Sequence, residues 1–398
     1  MPRLISLAMV VVLLAGCTGA DAAVTTVATT STTAPTTTTT APTTTTTLQP
    51  VVEVEGADDA LQQYLASYYG YANGNQAREP AGVEAPLLPQ PGSHPELPTV
   101  EGVAALADYQ GSRIAVFESG DDLLGLVDDG DGWQLVAGRA PSIGVDPWYS
   151  DDPILLAVVG SDARKGEDVA ATRADSIHIV GMDGRGGAAV VGIPRDSWVP
   201  IPGYGTSKIN AALSEGGPEM MMATFEELSG LELDGYAVTG FEGFERMVDD
   251  ALGPFEIDIP YTFRDRSAKA DFTAGVQVVD GRDALAFART RKAFTSGDFQ
   301  RQFNGGLVLI AALGGAKLRG PLAFPEIIAS TEEWLITDLT PDRMLRFALA
   351  ANEVNLTGIS NLVLEGSNAT TSGGASVVRL NESFAEATFA DLADGTLD

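Results

Sequence analysis

Among the charged side chains between Ser161 and Gln302 are Arg164, Arg173, Arg195, Lys208, Arg289, Arg291 and Arg301, together with Asp162, Asp175, Asp196 and Asp298. Arginine suits phosphate because its planar fork donates two hydrogen bonds at once. Paired aspartates suit Mg²⁺, which takes a few carboxylates and completes its shell with phosphate oxygens and water. The combination reads as a metal–polyphosphate site. Its position along the chain supports that reading over surface ion pairing, which contributes little. Ser161-Asp-Ala-Arg164 directly follows the apolar run Ile154–Val159, and Pro194-Arg-Asp196 directly follows Ala188–Ile193. In open α/β sheets, ligands bind in the crevice beyond the carboxyl ends of the strands.

Other chemistries find less support. No glycine-rich loop ends in Gly-Lys-Ser/Thr, and Gly181–Gly187 reads as a turn between strands. One cysteine and two histidines give no zinc-ligand spacing. His178 lies inside an apolar run, as a satisfied core imidazole would, and neither it nor His94 sits in the context of a Ser-His-Asp triad. The formal net charge is −30, from 54 acidic against 24 basic residues, so no nucleic-acid partner is expected.

The elements that must position the cluster follow from periodicity. Asp175–Val180 and Ala188–Ile193 join Ile154–Val159 as strands, the last apolar enough to be covered on both faces. Short strands follow at Tyr236–Val238 and Phe255–Ile259. Helices are expected over 218–228, 241–251, 281–289 and 299–313, and over 341–351 with Thr340 as N-cap and Pro341 in the first turn. This order implies an α/β layered domain over 149–398. Residues 51–148 read as a smaller accessory module: a helix from Asp58 to Tyr69, a Pro/Gly-rich stretch from Glu79 to Pro98, then short strands at 113–117, 123–127 and 133–136. The Asp128-Asp-Gly-Asp-Gly132 segment lacks the distal glutamate of a calcium loop and reads as a plain hairpin turn.

Ahead of these lies a targeting segment. Arg3 precedes the apolar stretch Leu4–Leu14, which is too short for the roughly 20 residues of a membrane span and fits a signal-peptide core. Leu14-Ala-Gly-Cys17 resembles a bacterial lipobox, which implies removal of residues 1–16 and acylation of Cys17. Residues 17–50 are rich in threonine and proline and have little apolar surface to bury, as expected of an extended tether. Some 30 such residues at ~3.3 Å each reach roughly 100 Å.

At the charged cluster the chain resembles the LytR-CpsA-Psr family of cell-wall glycopolymer transferases. The matching pieces occur in the family's order: Gly160-Ser-Asp-Ala-Arg164, Thr172-Arg-Ala-Asp-Ser176, Ile193-Pro-Arg-Asp196, Ile201-Pro-Gly-Tyr-Gly205, Lys208-Ile-Asn-Ala-Ala212, Gly216-Gly-Pro218, Asp280-Gly281, Ala288-Arg-Thr-Arg291 and Gly297-Asp-Phe-Gln-Arg301. The resemblance implies a layered α-β-α domain with a central mixed sheet. It also implies a transferase at the outer face of the cytoplasmic membrane of a Gram-positive-type bacterium, although many family members use an N-terminal transmembrane helix where this chain has the Cys17 lipobox. Such an enzyme moves a glycopolymer from undecaprenyl pyrophosphate to a peptidoglycan hydroxyl with Mg²⁺, or Mn²⁺ in its place. Carried over motif by motif, Asp162 and Asp175 would hold the metal. Arg164, Arg173, Arg195, Arg289 and Arg291 would clamp the pyrophosphate, with Asp196, Lys208 and Asn210 shaping the substrate site and Asp298 and Arg301 supporting it. An apolar tunnel would take the prenyl chain. One departure stands out: the family continues with a second Arg followed by Gln-Gln, where this chain has Asn304-Gly305-Gly306. Gln302, on nearly the same helical face, is the residue able to substitute in part. The departure keeps two other readings open, a lipid-pyrophosphate hydrolase and a non-catalytic lipid- or wall-binding lipoprotein.

Overall fold

The computed structural model describes residues 51–97 and 99–397. The targeting segment, Cys17 and the threonine-rich tether lie outside the described residues.

The first sheet holds six strands in chain order, β1 (Val51–Glu55), β2 (Thr99–Tyr109), β3 (Ser112–Ser119), β4 (Asp122–Asp128), β5 (Trp133–Ala140) and β6 (Val145–Trp148). Helix α1 (Asp59–Asn73) packs on one face, started by the Asp58 carboxylate, which accepts from Leu61 N at 2.8 Å. The Asp128–Gly132 segment is the hairpin turn between β4 and β5: Asp128 Oδ1 accepts from Gly130 N and Gly132 N. The eleven-residue β2 is a strand that periodicity did not single out, since its Ala, Glu and Gly residues carry little β signal.

The second sheet contains β7 (Ile154–Ser161), β8 (Ala174–Met182), β9 (Ala188–Gly192), β12 (Gly235–Thr239), β17 (Ile336–Thr337) and β18 (Ser360–Val363), in the order β17-β12-β7-β8-β9-β18. β7 pairs parallel with β12 and antiparallel with β8, and β9 pairs parallel with β18, so the sheet is mixed. One face is covered by α2 (Ala211–Ser229) and α8 (Glu382–Leu392), through Leu213, Met221, Phe225, Ala385 and Phe389. α2 begins seven residues ahead of the expected start at 218. Gly216 and Gly217 leave helical geometry, and Pro218 opens its second half, where a proline lacking an N–H is tolerated.

The opposite face meets α5 (Asp298–Arg319), which is backed by α3 (Phe241–Arg246), α4 (Gly281–Ala288) and α6 (Phe324–Thr331). The result is an α-β-α layering. α3 runs on into a π-helical turn, Met247–Leu252. The chain bends by 102° between α5 and the segment from Pro321 to Thr331, and among the described residues no single helix is long and apolar enough to cross a membrane.

Three hairpins surround this core: β10 (Trp198–Ile201) with β11 (Gly205–Lys208), β14 (Phe263–Asp265) with β15 (Ala270–Phe272), and β19 (Gly366–Thr370) with β20 (Ser376–Leu380). β13 (Phe255–Ile259) pairs with β16 (Gly275–Val279). Helix α7 (Pro341–Glu353) and α6 cover the second face of the first sheet, where Leu345 and Leu349 press on Gly125 so closely that a Cβ there would lie 2.5 Å from Leu349 Cδ1. Thr340 has the extended backbone of a cap, yet its hydroxyl makes no capping bond.

Candidate functional site

The charged residues of the sequence pattern arrive on loops laced together by backbone hydrogen bonds. Asp162, just after β7, donates through its N–H to Arg173 O at 2.9 Å, and its Oδ1 accepts from Arg173 N at 3.1 Å. Ala174 N donates to Asn210 O, and Asn210 N donates to Arg195 O. The ends of β7, β8 and β9 and the β10–β11 hairpin are therefore one connected rim.

A buried ion network lies at the centre of that rim. Asp175 receives Arg195 through one oxygen and Arg301 Nη1 through the other, the latter at 3.1 Å. Asp298 pairs with Arg301 and accepts from Arg195 N at 2.8 Å. Burial raises the Asp298 carboxyl above its usual value against the pull of Arg301 and Arg195, and burial lowers the Arg301 guanidinium. Arg195 titrates above its ordinary value because Asp175 and Asp298 outweigh its own desolvation. Arg195 Nε and Arg301 Nε are buried and find no acceptor among the described residues, so the network carries more donor than acceptor capacity. Lys208 pairs with Asp196 at 2.8 Å beside it.

Around this centre stand arginines with no ion pair among the described residues: Arg164, Arg173, Arg289 and Arg291. In a chain of net charge −30, unpaired cations on one rim favour an anionic ligand. The Arg289 guanidinium lies 3.9 Å over the Phe241 ring. Arg291 is near enough to Arg301 for their charges to repel.

Beneath the rim opens an apolar cavity of about 260 Å³. Its walls include Val158 of β7, Phe241 and Phe244 of α3, Met247 and Val248 of the π turn, Leu285 of α4 and Val308 of α5; Asp175, Arg289 and Arg301 line it as well. The π turn widens the helix at this wall, as such insertions often do at ligand sites. Sequence periodicity had no means of assigning this lining, because the residues come from eight elements spread over 158–335.

Asp265 is a site residue that sequence reasoning missed. It is 3% exposed, and its Oδ2 accepts from Arg291 N at 3.1 Å and Lys292 N at 2.7 Å, while Oδ1 accepts from Ser267 N and Ala268 N. Burial alone would raise this carboxyl, but hydrogen bonds from Ser267 and from the backbone of Arg291 and Lys292 hold it far below the usual carboxylate range. It pins the segment carrying Arg289 and Arg291. The sequence signal is absent because the partners lie 26 and 27 residues away.

The family model for LytR_cpsA_psr matches residues 134–394. The chain belongs to the LytR_cpsA_psr family. It is 38% identical over 187 residues to the probable cell wall biosynthesis protein LcpB of Corynebacterium glutamicum, covering 43% of this chain and 45% of that protein. It is 32% identical over 198 residues to the polyisoprenyl-teichoic acid–peptidoglycan teichoic acid transferase TagU of Bacillus mycoides, covering 48% and 62%. The chain thus spans about half the length of the curated relatives it matches. Its fold is shared with the crystal structure of B. subtilis TagV (TM-score 0.52, 24% identity, 61% of this chain and 96% of that one) and with TagT bound to LI-WTA (TM-score 0.51, 22% identity, 63% and 93%).

In this LytR_cpsA_psr chain the departure at Asn304–Gly306 is a packing solution. An added Cβ on Gly305 would lie 2.7 Å from His178 Cε1, and one on Gly306 would lie 2.1 Å from Asn361 Oδ1. Asn304 is buried, donating to Phe287 O and accepting from Gln300. Gln302 corrects an expectation. It is fully buried, accepts from Ile177 N and donates to Asp175 O, both at 3.0 Å, so its amide is used up in fastening α5 to β8 and has no reach toward a ligand. Gly305→Ala is expected to destabilise the fold by about 1–3 kcal/mol through overpacking, despite a helix-propensity gain of ~1 kcal/mol. Urea unfolding checks this.

His178 is a core imidazole of the LytR_cpsA_psr domain: it is buried and its Nε2 lies 2.9 Å from Gln302 O. Burial pulls its pKa down to about 4, with the Gln302 carbonyl opposing. Unfolded histidine titrates near ~6.5, so between about 6.5 and 4 only the unfolded chain takes the proton. Stability is therefore expected to fall with acidification across that window, by up to about 3 kcal/mol from this residue. Denaturant titrations at pH 7.5 and 4.5 should show a smaller loss in His178→Gln; equal losses would remove this assignment.

Proposed function

We propose that the chain transfers a glycopolymer from a polyprenyl pyrophosphate to a peptidoglycan sugar hydroxyl during cell-wall assembly. The observation that carries this reading is the apolar cavity capped by Asp175, Arg289 and Arg301. An anionic head on a long apolar tail needs that pairing of surfaces. The relatives named as teichoic acid transferases support the same reaction class.

The prenyl chain would enter the cavity, and its pyrophosphate would lie on the rim. Arg289, Arg291, Arg164 and Arg173 have guanidinium groups free for phosphate oxygens, while Arg195 and Arg301 are held in place by Asp175 and Asp298. The acceptor hydroxyl oxygen would form a bond to the sugar-side phosphorus. The bond from that phosphorus to the bridging oxygen breaks, lipid monophosphate leaves with the bridging oxygen, and solvent carries off the hydroxyl proton. Such transfer depends on positioning and charge neutralisation more than on covalent help.

Asp162 and Asp175 are the residues that would hold Mg²⁺. Among the described residues no group of three or more acidic or imidazole side chains could hold a metal alone, so pyrophosphate oxygens would complete the shell, a donor set typical of Mg²⁺. The ion would neutralise charge on the departing phosphate. The Leu14–Cys17 motif supports anchoring by an acylated Cys17 at the outer face of the cytoplasmic membrane, and such an anchor would hold the enzyme on the leaflet of its substrate.

The test uses the purified chain, a labelled polyprenyl-pyrophosphate glycan, Mg²⁺ and a peptidoglycan fragment. Release of polyprenyl phosphate with label on the fragment is expected. Release without labelling would make the chain a hydrolase, and binding without release would make it a binding module; either result ends the transferase reading.

A further inference from the structure

A second concavity, a surface groove of about 660 Å³, runs beside the rim between the start of α5 and the β19–β20 hairpin. Phe299, Phe303 and Gln300 of α5 line one side, and Glu365, Arg379 and Asn381 line the other. Both walls are fastened to the ion network. Phe299 and Gln300 lie between Asp298 and Arg301 on the first turn of α5. On the other wall, Val378 N donates to Asp196 O at 2.8 Å, and Val378 bridges to Ser197.

Helical geometry separates the two concavities. Arg301, Gly305, Val308 and Ala312 recur at intervals of three and four and face the apolar cavity. Phe299 and Phe303, two residues to either side of Arg301, fall on the opposite face and line the groove. A ligand in the groove would thus approach the rim from across α5 relative to a prenyl chain. In-line displacement needs that relation, because the entering and leaving oxygens sit on opposite sides of phosphorus.

The groove chemistry fits a saccharide. Two phenylalanines offer flat apolar faces to pyranose rings, and Gln300, Asn381 and Glu365 offer hydrogen-bonding groups at the edges. Arg379 is exposed and has no ion pair among the described residues, so it is free to take a carboxylate on the sugar. We propose that this groove binds the acceptor as an acidic aminosugar polymer. The proposal rests on the transferase reading for its role and deepens it by assigning the acceptor its own surface.

The test titrates the full-length chain in detergent with a GlcNAc–MurNAc tetrasaccharide, and separately with chitotetraose, which lacks carboxylates. Arg379→Ala and Phe299→Ala should each weaken tetrasaccharide binding about tenfold. Chitotetraose should bind wild type more weakly and ignore Arg379→Ala. In the transfer assay the variants should raise the acceptor KM and leave the donor KM unchanged. Unchanged tetrasaccharide binding in both variants, or none to wild type, overturns the proposal. A raised donor KM with an unchanged acceptor KM also overturns it, by giving the groove to the donor glycan. Groove-dependent tetrasaccharide binding by a chain that transfers nothing would uphold the groove and end the transferase reading.

Discussion

Arg289→Ala is expected to lower kcat for glycopolymer transfer by about 10³-fold, the scale of losing one arginine from a phosphoryl-transfer site. The same change should leave the fold nearly untouched. Arg289 is exposed, forms no ion pair among the described residues, and stacks over Phe241. Losing an exposed cation–π contact costs about 0.5–1 kcal/mol. Arg301→Ala would be a poor probe by comparison. It strips a partner from both Asp175 and Asp298, and breaking a buried pair from one side costs about 3–5 kcal/mol. Steady-state kinetics together with thermal unfolding separate the two cases. If Arg289→Ala kept activity within a few-fold of wild type, the rim would not be the reacting centre.

Asp265→Asn should damage both stability and turnover, for a reason remote from charge on the ligand. The carboxylate accepts from four backbone N–H groups through two oxygens, and an amide retains only one of those oxygens. At least two N–H groups, partly buried, lose their acceptor, a cost of up to about 1–3 kcal/mol each. Arg291 is tied directly to this contact, and Arg289 lies two residues before it. Displacement of that segment by ~1 Å is expected to lower kcat by about 10²-fold. Because the folded pKa lies far below the unfolded one near 3.9, the stabilisation is fully present above that value and is lost only as pH falls below it. Denaturant unfolding at neutral pH measures the stability loss directly. An Asp265→Asn protein with wild-type stability and kcat would show that the Arg289–Arg291 segment holds its shape without this anchor.

The site was legible in sequence wherever a charged residue directly followed an apolar run. Asp162 after β7 and Arg195 after β9 could be placed at strand ends because strands are short and their termini abrupt. The helices carrying Arg289 and Asp298 were legible for a similar reason, since α4 and α5 show apolar periodicity with arginines at their ends. Gln302 misled because helical spacing gives the face of a residue and not its partners. Its position facing β8 leaves its amide to the backbone of Asp175 and Ile177.

The sequence by itself determined the residue types and the layering. The arginines, the aspartates and the alternation of strands and helices specify an α/β sheet with a cluster of charged side chains at its edge. Tertiary structure alone decided three things. It joined eight elements into an apolar cavity, coupled Asp265 to a loop 26 residues away, and set Gly305 against His178 so that the family's bulkier residues have no room. The physical reason is common to all three. Local propensity reads neighbours along the chain, whereas a cavity wall, a buried carboxylate and a missing Cβ are defined by atoms brought close only when the layers pack.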